Sequence, residues 1–196
     1  MKRPDELKEL KVFFATTNAD KVREARAAVS AYGVGLEQAE VDVEEIKSLD
    51  ILRVAERKAI DSFKLVKKPV VVDDTGYFFE AFPGFPGKYS KFCVQTIGVA
   101  NAVRLLEGKT KRAYFSTVVA YCGGKTAKCF EGRTEGTVLL SPRGIAAPKL
   151  PYDPYFVPDG SEKTYGEMTL EEKNSFSHRA RAFQKFGEWF VKQKRK

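Results

Sequence analysis

The hydrophobic positions change period several times along this chain, and each change marks an element. Leu10 to Thr16 is an almost continuous apolar run, the pattern of a buried strand. Asn18 is then placed to cap a helix in which Val22, Ala25 and Val29 recur at helical spacing until Gly33 stops it. Gly35 to Val43 alternates weakly as a second strand. Ile51, Val54, Ala55, Ala59, Phe63 and Val66 trace one side of a second helix that must end before Pro69. Val70 to Val72 follows as a third, wholly apolar strand. The order β, α, β, α, β predicts an α/β fold whose ligands gather at strand ends.

The second half has a different rhythm. Phe78 to Tyr89 is too rich in proline and glycine for regular structure and too aromatic for a free linker, which predicts an ordered loop. Thr96 to Leu106 predicts a helix closed by Gly108. Ala113 to Cys122, Lys125 to Glu131 and Thr134 to Leu140 predict strands around turns at Gly123-Gly124 and at Gly132, extending the sheet with antiparallel members. Ser141 to Pro154 reads as a loop. Thr169-x-x-Glu172 has the form of a capping box, and Ala180, Phe183, Phe186 and Phe190 mark the buried side of a last helix.

Composition narrows the class without naming a function. With 196 residues, 43% hydrophobic and 12% aromatic, the chain can build one core, so residues 1–196 are expected to form a single domain. Its longest apolar runs are strand-sized, far short of the roughly twenty residues that span a bilayer. Met1 to Glu6 leads into mixed charge and not into an apolar signal core, so a cytosolic setting is expected. Three cysteines, Cys93, Cys122 and Cys129, without a C-x-x-C pair, argue against a disulfide framework or a zinc site. The net charge is +8, and Lys192, Lys194, Arg195 and Lys196 supply four of the positive charges. Such a balance favours an anionic partner, either a polyphosphate or a nucleic acid.

Four segments carry candidate chemistry. In Val70-Val-Val-Asp-Asp-Thr-Gly76 a strand runs into two acids, a hydroxyl and a glycine. If strand geometry persists, Asp73 and Asp74 point to opposite faces, and the one that enters a cleft can hold a cation and orient water. The other reading is a strand ending in an Asp/Thr/Gly turn. Thr16-Thr17-Asn18-Ala19-Asp20-Lys21 lies at a strand-to-helix junction, where backbone N–H groups, Asn18 and Lys21 form either a phosphate cradle or an ordinary helix cap. Lys88-Tyr-Ser-Lys91 and Lys173 to Arg179 add two more cationic groups, and the latter contains His178, the only histidine. Three separate cationic segments imply a polyanionic ligand.

These segments, in this order, resemble the inosine/xanthosine triphosphate pyrophosphatase family, whose members hydrolyse altered purine nucleoside triphosphates. The resemblance rests on Phe14-Ala-Thr-Thr-Asn-Ala-Asp-Lys21, Val72-Asp-Asp-Thr-Gly76, Phe85-Pro-Gly-Lys-Tyr-Ser-Lys91, Tyr152-Asp-Pro154 and Leu170-Glu-Glu-Lys-Asn-Ser-Phe-Ser-His-Arg179. It spans Val12 to about Phe190, and Arg112-Ala-Tyr-Phe115 with Glu167-Met-Thr169 are most like archaeal members. It implies an elongated mixed β-sheet flanked by helices, with two lobes and a central nucleotide-binding groove. The implied reaction converts ITP, dITP or XTP to the monophosphate and pyrophosphate with Mg²⁺.

By the same resemblance, Asp74 binds magnesium and activates water, Glu45 is its metal partner, and Asp73 supports it. Thr16, Asn18 and Lys21 hold phosphates, while Lys91, Lys173 and Arg179 complete the clamp. Asp153, His178 and Arg179 read the 6-oxo purine, and Thr17, Thr75 and Tyr152 complete the substrate-binding set. A homodimer is also implied, with the Phe78 to Phe92 segment as a candidate surface, and neither a membrane nor a stable nucleic-acid partner is expected.

Three positions depart from the family pattern. Thr17 stands where the family has glycine. The phosphate-binding lysine of the second helix has no certain counterpart, because Lys58 and Lys64 flank a position occupied by Ile60. Leu150-Pro-Tyr-Asp153 replaces a stretch that begins with a base-stacking aromatic, leaving Tyr152 or Tyr155 to compensate. The competing readings are a basic nucleic-acid-binding protein without catalysis and a related pyrophosphatase of modified pyrimidine triphosphates.

Overall fold

The structure is a computed structural model that describes residues 10–146 and 150–194. Residues 1–9, which include the Met1 to Glu6 start, lie outside the described residues, as do 147–149 of the Ser141 to Pro154 loop and the tail residues Arg195 and Lys196. The strands are β1 (Leu10–Ala15), β2 (Val34–Ala39), β3 (Val70–Phe79), β4 (Pro86–Gly87), β5 (Arg112–Cys122), β6 (Ala127–Val138) and β7 (Phe156–Pro158). The helices are α1 (Ala19–Val29), α2 (Ile51–Val66), α3 (Ser90–Ile97), α4 (Val99–Arg104), α5 (Leu170–Phe176) and α6 (His178–Lys194). The seven strands form one mixed sheet in the order β2-β1-β3-β5-β6-β7, with β4 added to β3. β1 is parallel to β2 and β3, whereas β3, β5, β6 and β7 pair antiparallel.

Burial follows the predicted helical stripes. Val22, Ala25 and Val29 of α1 and Ala180, Phe183, Phe186 and Phe190 of α6 cover one face of the sheet, where Phe183 meets Phe14 edge-on at 5.2 Å. α2 covers the other face, laying Ile51, Ala55 and Ala59 on Val70, Val72, Val118 and Ala120. A third, mostly aromatic cluster fills the far end, with Tyr77 stacked on Phe115 at 4.1 Å and Phe79, Tyr152, Tyr155, Phe156 and Tyr165 around them.

Several boundaries differ from the sequence expectation, each for a visible reason. β3 does not stop at Val72; it continues through Asp73-Asp74-Thr75-Gly76 to Phe79, because β5 pairs with it along its whole length, from Val70↔Cys122 to Phe79↔Ala113. The turn reading of the acidic stretch is thereby overturned. The predicted turn at Gly132 is absent too: Gly132 sits inside β6, opposite Thr117. A Cβ there would collide with the backbone of His178 and Ala182, so glycine lets α6 approach the sheet. The helix expected over Thr96 to Leu106 is two, broken at Gly98, whose φ of 78° is left-handed. The second strand ends at Ala39, short of Val43. In the aromatic segment after Phe79, the chain turns and returns through β4 against Tyr77 and Phe78.

Candidate active site

Because β3 keeps its pleat, the two acids part company. Asp73 enters the face shared with α1 and α6, where it is 2% exposed. It meets Lys21 Nζ at 2.8 Å through Oδ1 and Arg179 Nε at 2.9 Å through Oδ2. Lys21 lies in the first turn of α1, held there because Asn18 caps the helix by accepting from the backbone N–H of Asp20 and Lys21. Arg179 comes from the start of α6, just past the break at Ser177. Its guanidinium also binds Glu24 and donates to Thr75 Oγ1 at 3.3 Å, and Thr75 in turn meets Thr117 Oγ1 at 2.7 Å. Glu24 reaches Lys173 Nζ at 2.6 Å, and Lys173 also holds Asp153.

The result is an alternating chain of charge, Lys21–Asp73–Arg179–Glu24–Lys173–Asp153, that ties α1, β3, α6, α5 and the Asp153–Tyr155 turn together. Burial alone would raise the Asp73 pKa, but Lys21 and Arg179 outweigh it and hold the carboxyl at about 2. Asp153 goes the other way: burial, reinforced by Glu24, outweighs Lys173 and raises it.

Asp74, on the opposite face, has no such partners. Its Oδ2 is buried and without a hydrogen bond. Burial pushes its pKa up to about 6; Glu45 and Asp73 add repulsion, and Lys21 and Lys58 oppose it. Glu45 therefore stands within electrostatic reach of Asp74, on the irregular segment between β2 and α2. Its Oε1 accepts from Lys58 Nζ at 2.9 Å, while Lys88 Nζ holds the next carbonyl, that of Ile46, at 3.1 Å. An orphaned carboxylate oxygen within electrostatic reach of a second carboxylate suits Mg²⁺, which takes hard oxygens and fills its remaining positions with water and phosphate. Among the described residues, no set of three or more His, Cys, Asp and Glu is gathered for a metal, so any ion here would rest on this pair.

The remaining candidates are placed as follows. Thr16 Oγ1 accepts from the Asn18 backbone at 3.2 Å, and Thr17 is exposed beside it, so the first loop is built as a helix cap with its N–H groups near Lys21. Lys91 is exposed in the first turn of α3. Lys173 and Arg179, expected in the phosphate clamp, are buried and engaged by acids. His178 is buried with its ring stacked on Phe115 at 4.6 Å and its Nδ1 unpartnered. Burial, with Arg179 and Lys173 adding repulsion, drives its pKa well below normal and keeps it neutral. Tyr152 packs on Tyr77 at 4.7 Å and donates to the Ser90 carbonyl, and Tyr155 is buried as well, so neither ring stands free beside Leu150.

Three participants were given no role by the sequence reading. Glu24 is an acid on the buried stripe of α1, three residues from Lys21, and that phase was the available signal. Lys58, left undecided against Lys64, reaches the acids because it follows Val54 by four residues and Ala55 by three, on the sheet-facing side of α2; Lys64 instead pairs with Asp61 at the surface. Lys88 was legible only as a member of the cationic segment Lys88 to Lys91, since its contact with Ile46 is made across the fold.

Comparison with known proteins assigns the family and matches the fold. The sequence profile described as Ham1 family matches residues 12–189. The dITP/XTP pyrophosphatase of Thermococcus kodakarensis is 40% identical over 181 residues, covering 92% of this chain and 97% of that protein. The dITP/XTP pyrophosphatase of Methanopyrus kandleri is 39% identical over 184 residues, covering 92% and 96%. Among solved structures, a HAM1 protein from Coxiella burnetii superposes with a TM-score of 0.80 at 23% identity, covering 93% of this chain and 99% of that one. The charge chain through Asp73, the unpaired Asp74 and the mixed sheet that mounts them are thus features of a chain that belongs to the Ham1 family.

Proposed function

We propose that this protein hydrolyses the altered purine nucleoside triphosphates ITP, dITP and XTP to the monophosphate and pyrophosphate, with Mg²⁺ held by Glu45 and Asp74. The observation that carries this reading is the unequal treatment of two adjacent acids. Asp73 is neutralised by Lys21 and Arg179, while Asp74 keeps a buried, unpartnered oxygen within electrostatic reach of Glu45. A carboxylate that no cation of the fold pairs with is open to an ion and to an attacking water, whose proton it can accept. Bound Mg²⁺ supplies Lewis-acid polarisation and charge neutralisation for the phosphates.

The chain's own residues do the rest. Lys21, Lys58 and Lys91 offer ammonium groups to the phosphate tail, and attack on phosphorus builds charge that fixed cations stabilise without a covalent intermediate. Lys58 now rests on Glu45 and is the cation best placed to move to phosphate. By the family resemblance, Asp153, neutral His178 and Arg179 would read the base from the α1/α6 face, where with Lys173 they are now buried. A 6-oxo purine offers an acceptor where adenine offers an amino group, so a site ordered in this way discriminates against adenine.

A pyrophosphate-release panel of ITP, dITP, XTP, GTP and ATP tests the assignment. Release from the first three should exceed that from ATP; equal rates on all five would reject the specificity, and orthophosphate as the first product would reject the reaction.

The working form we propose is a dimer in the cytoplasm. The arm from β4 through α4 supports a second copy, since Phe85, Tyr89, Phe92, Ile97 and Leu105 are all exposed there. Among the described residues, no helix is long and apolar enough to cross a membrane.

A further inference from the structure

Glu45 is mounted unlike the other acids of the site. Asp73 and Asp74 sit inside β3, which β5 pairs at every residue, but residues 40–50 form neither helix nor strand. Two ammonium groups reach this segment from elsewhere in the fold. Lys58 binds the Glu45 carboxylate itself at 2.9 Å, and Lys88 binds the backbone carbonyl of Ile46 at 3.1 Å.

These two tethers have different fates once a cation arrives. Lys58 shares the Glu45 carboxylate with an arriving ion and repels it, so its hold on Glu45 weakens. The Lys88 bond uses a backbone carbonyl and does not compete. Lys88 also follows directly on β4, which pairs with β3 through Tyr77↔Gly87 and Phe78↔Pro86. Its backbone is therefore fixed to the same strand that carries Asp74. The Tyr89 ring lies 5.2 Å from its ammonium and narrows its range further.

We infer that Lys88 is a positioning residue that latches the Glu45 segment to the β3–β4 unit, keeping Glu45 within reach of Asp74 while the hold of Lys58 weakens. The inference rests on the reading above that Glu45 and Asp74 hold the metal. It has a distinctive sign. If Lys88 were only a positive charge near Glu45, deleting it would strengthen cation binding. As a latch, its loss weakens cation binding, because Glu45 must then be ordered at each binding event.

The test uses the full-length protein with Lys88→Met and Lys88→Arg. In metal-free, nucleotide-free protein, hydrogen exchange within residues 40–50 should be roughly three- to tenfold faster in Lys88→Met, the scale of one lost hydrogen bond. The Mg²⁺ concentration for half-maximal ITP hydrolysis should rise by a similar factor, with turnover at saturating Mg²⁺ changed less than about twofold. Lys88→Arg, which retains donors, should lie nearer wild type in both. Unchanged exchange in 40–50, or a Mg²⁺ requirement that is unchanged or lowered, overturns the latch. Glu45→Gln run in parallel separates the two claims: if it leaves the Mg²⁺ requirement unaltered, the metal assignment fails, and the exchange data alone decide the latch.

Discussion

Asp73 and Asp74 are neighbours in sequence and opposites in the fold: one is sealed between Lys21 and Arg179 with a pKa of about 2, the other is unpartnered with a pKa of about 6. The strand pleat alone separates them, so a one-residue slip of β3 against β5 would exchange their environments. The β3–β5 ladder that fixes the register therefore decides which acid enters which environment. Each acid then has its own signature in stability.

For Asp74 the folded pKa is raised above the 3.8 of an unperturbed Asp. The folded state thus penalises the ionised form; the penalty is absent below pH 4, grows as pH rises, and is complete above about 6. Asp74→Asn should stabilise the metal-free protein at pH 8 by about 2 to 3 kcal/mol, a figure trimmed for the residue's partial exposure. The gain should vanish as pH falls through 6 towards 4. Urea unfolding across that range, without divalent ions, measures it; a variant no more stable than wild type at pH 8 would refute the environment assigned to Asp74.

For Asp73 the sign reverses. Its folded pKa lies below 3.8, so its contribution is present above pH 4 and is lost as pH falls through about 2. Asp73→Asn leaves Arg179 and Lys21 facing a neutral group in a buried place. The expected cost is about 3 to 5 kcal/mol at pH 7, the scale for breaking a buried pair from one side. The same unfolding assay checks it, and a loss below 1 kcal/mol would show that the charge chain does not depend on this residue.

Much of this was legible in the sequence, but unevenly. The βαβαβ opening, the capping box at Thr169 and the buried stripes of α1, α2 and α6 follow from local periodicity and capping, and they stand in the structure. The boundaries that differed depended on partners far along the chain. Nothing near Asp73 announces that β5 will carry the strand past the acids, and nothing near Gly132 announces that α6 will press on it. The site divides in the same way. The acids and cations could be read as types, but which cation meets which acid is set by tertiary approach, so Lys173 and Arg179 emerged engaged with Glu24, Asp153 and Asp73. Glu24 itself was hidden in an otherwise apolar stripe.

The exposed arm gives a prediction about assembly. Phe92 is 63% exposed in α3, and Tyr89 and Phe85 just before the helix are exposed too. If a second copy covers this surface, wild type should sediment as a dimer at micromolar concentration and Phe92→Asp as a monomer. A monomeric wild type, or a variant that still dimerises, would move the interface elsewhere or remove it.

The measurement that bears most directly on the central claim is pyrophosphate release from ITP by wild type and by Asp74→Asn at matched, saturating Mg²⁺. A water-activating carboxylate predicts a loss of roughly a hundredfold to ten-thousandfold in turnover in the variant, with its fold intact at that pH. Turnover within a few-fold of wild type would contradict the assignment of Asp74 as the base.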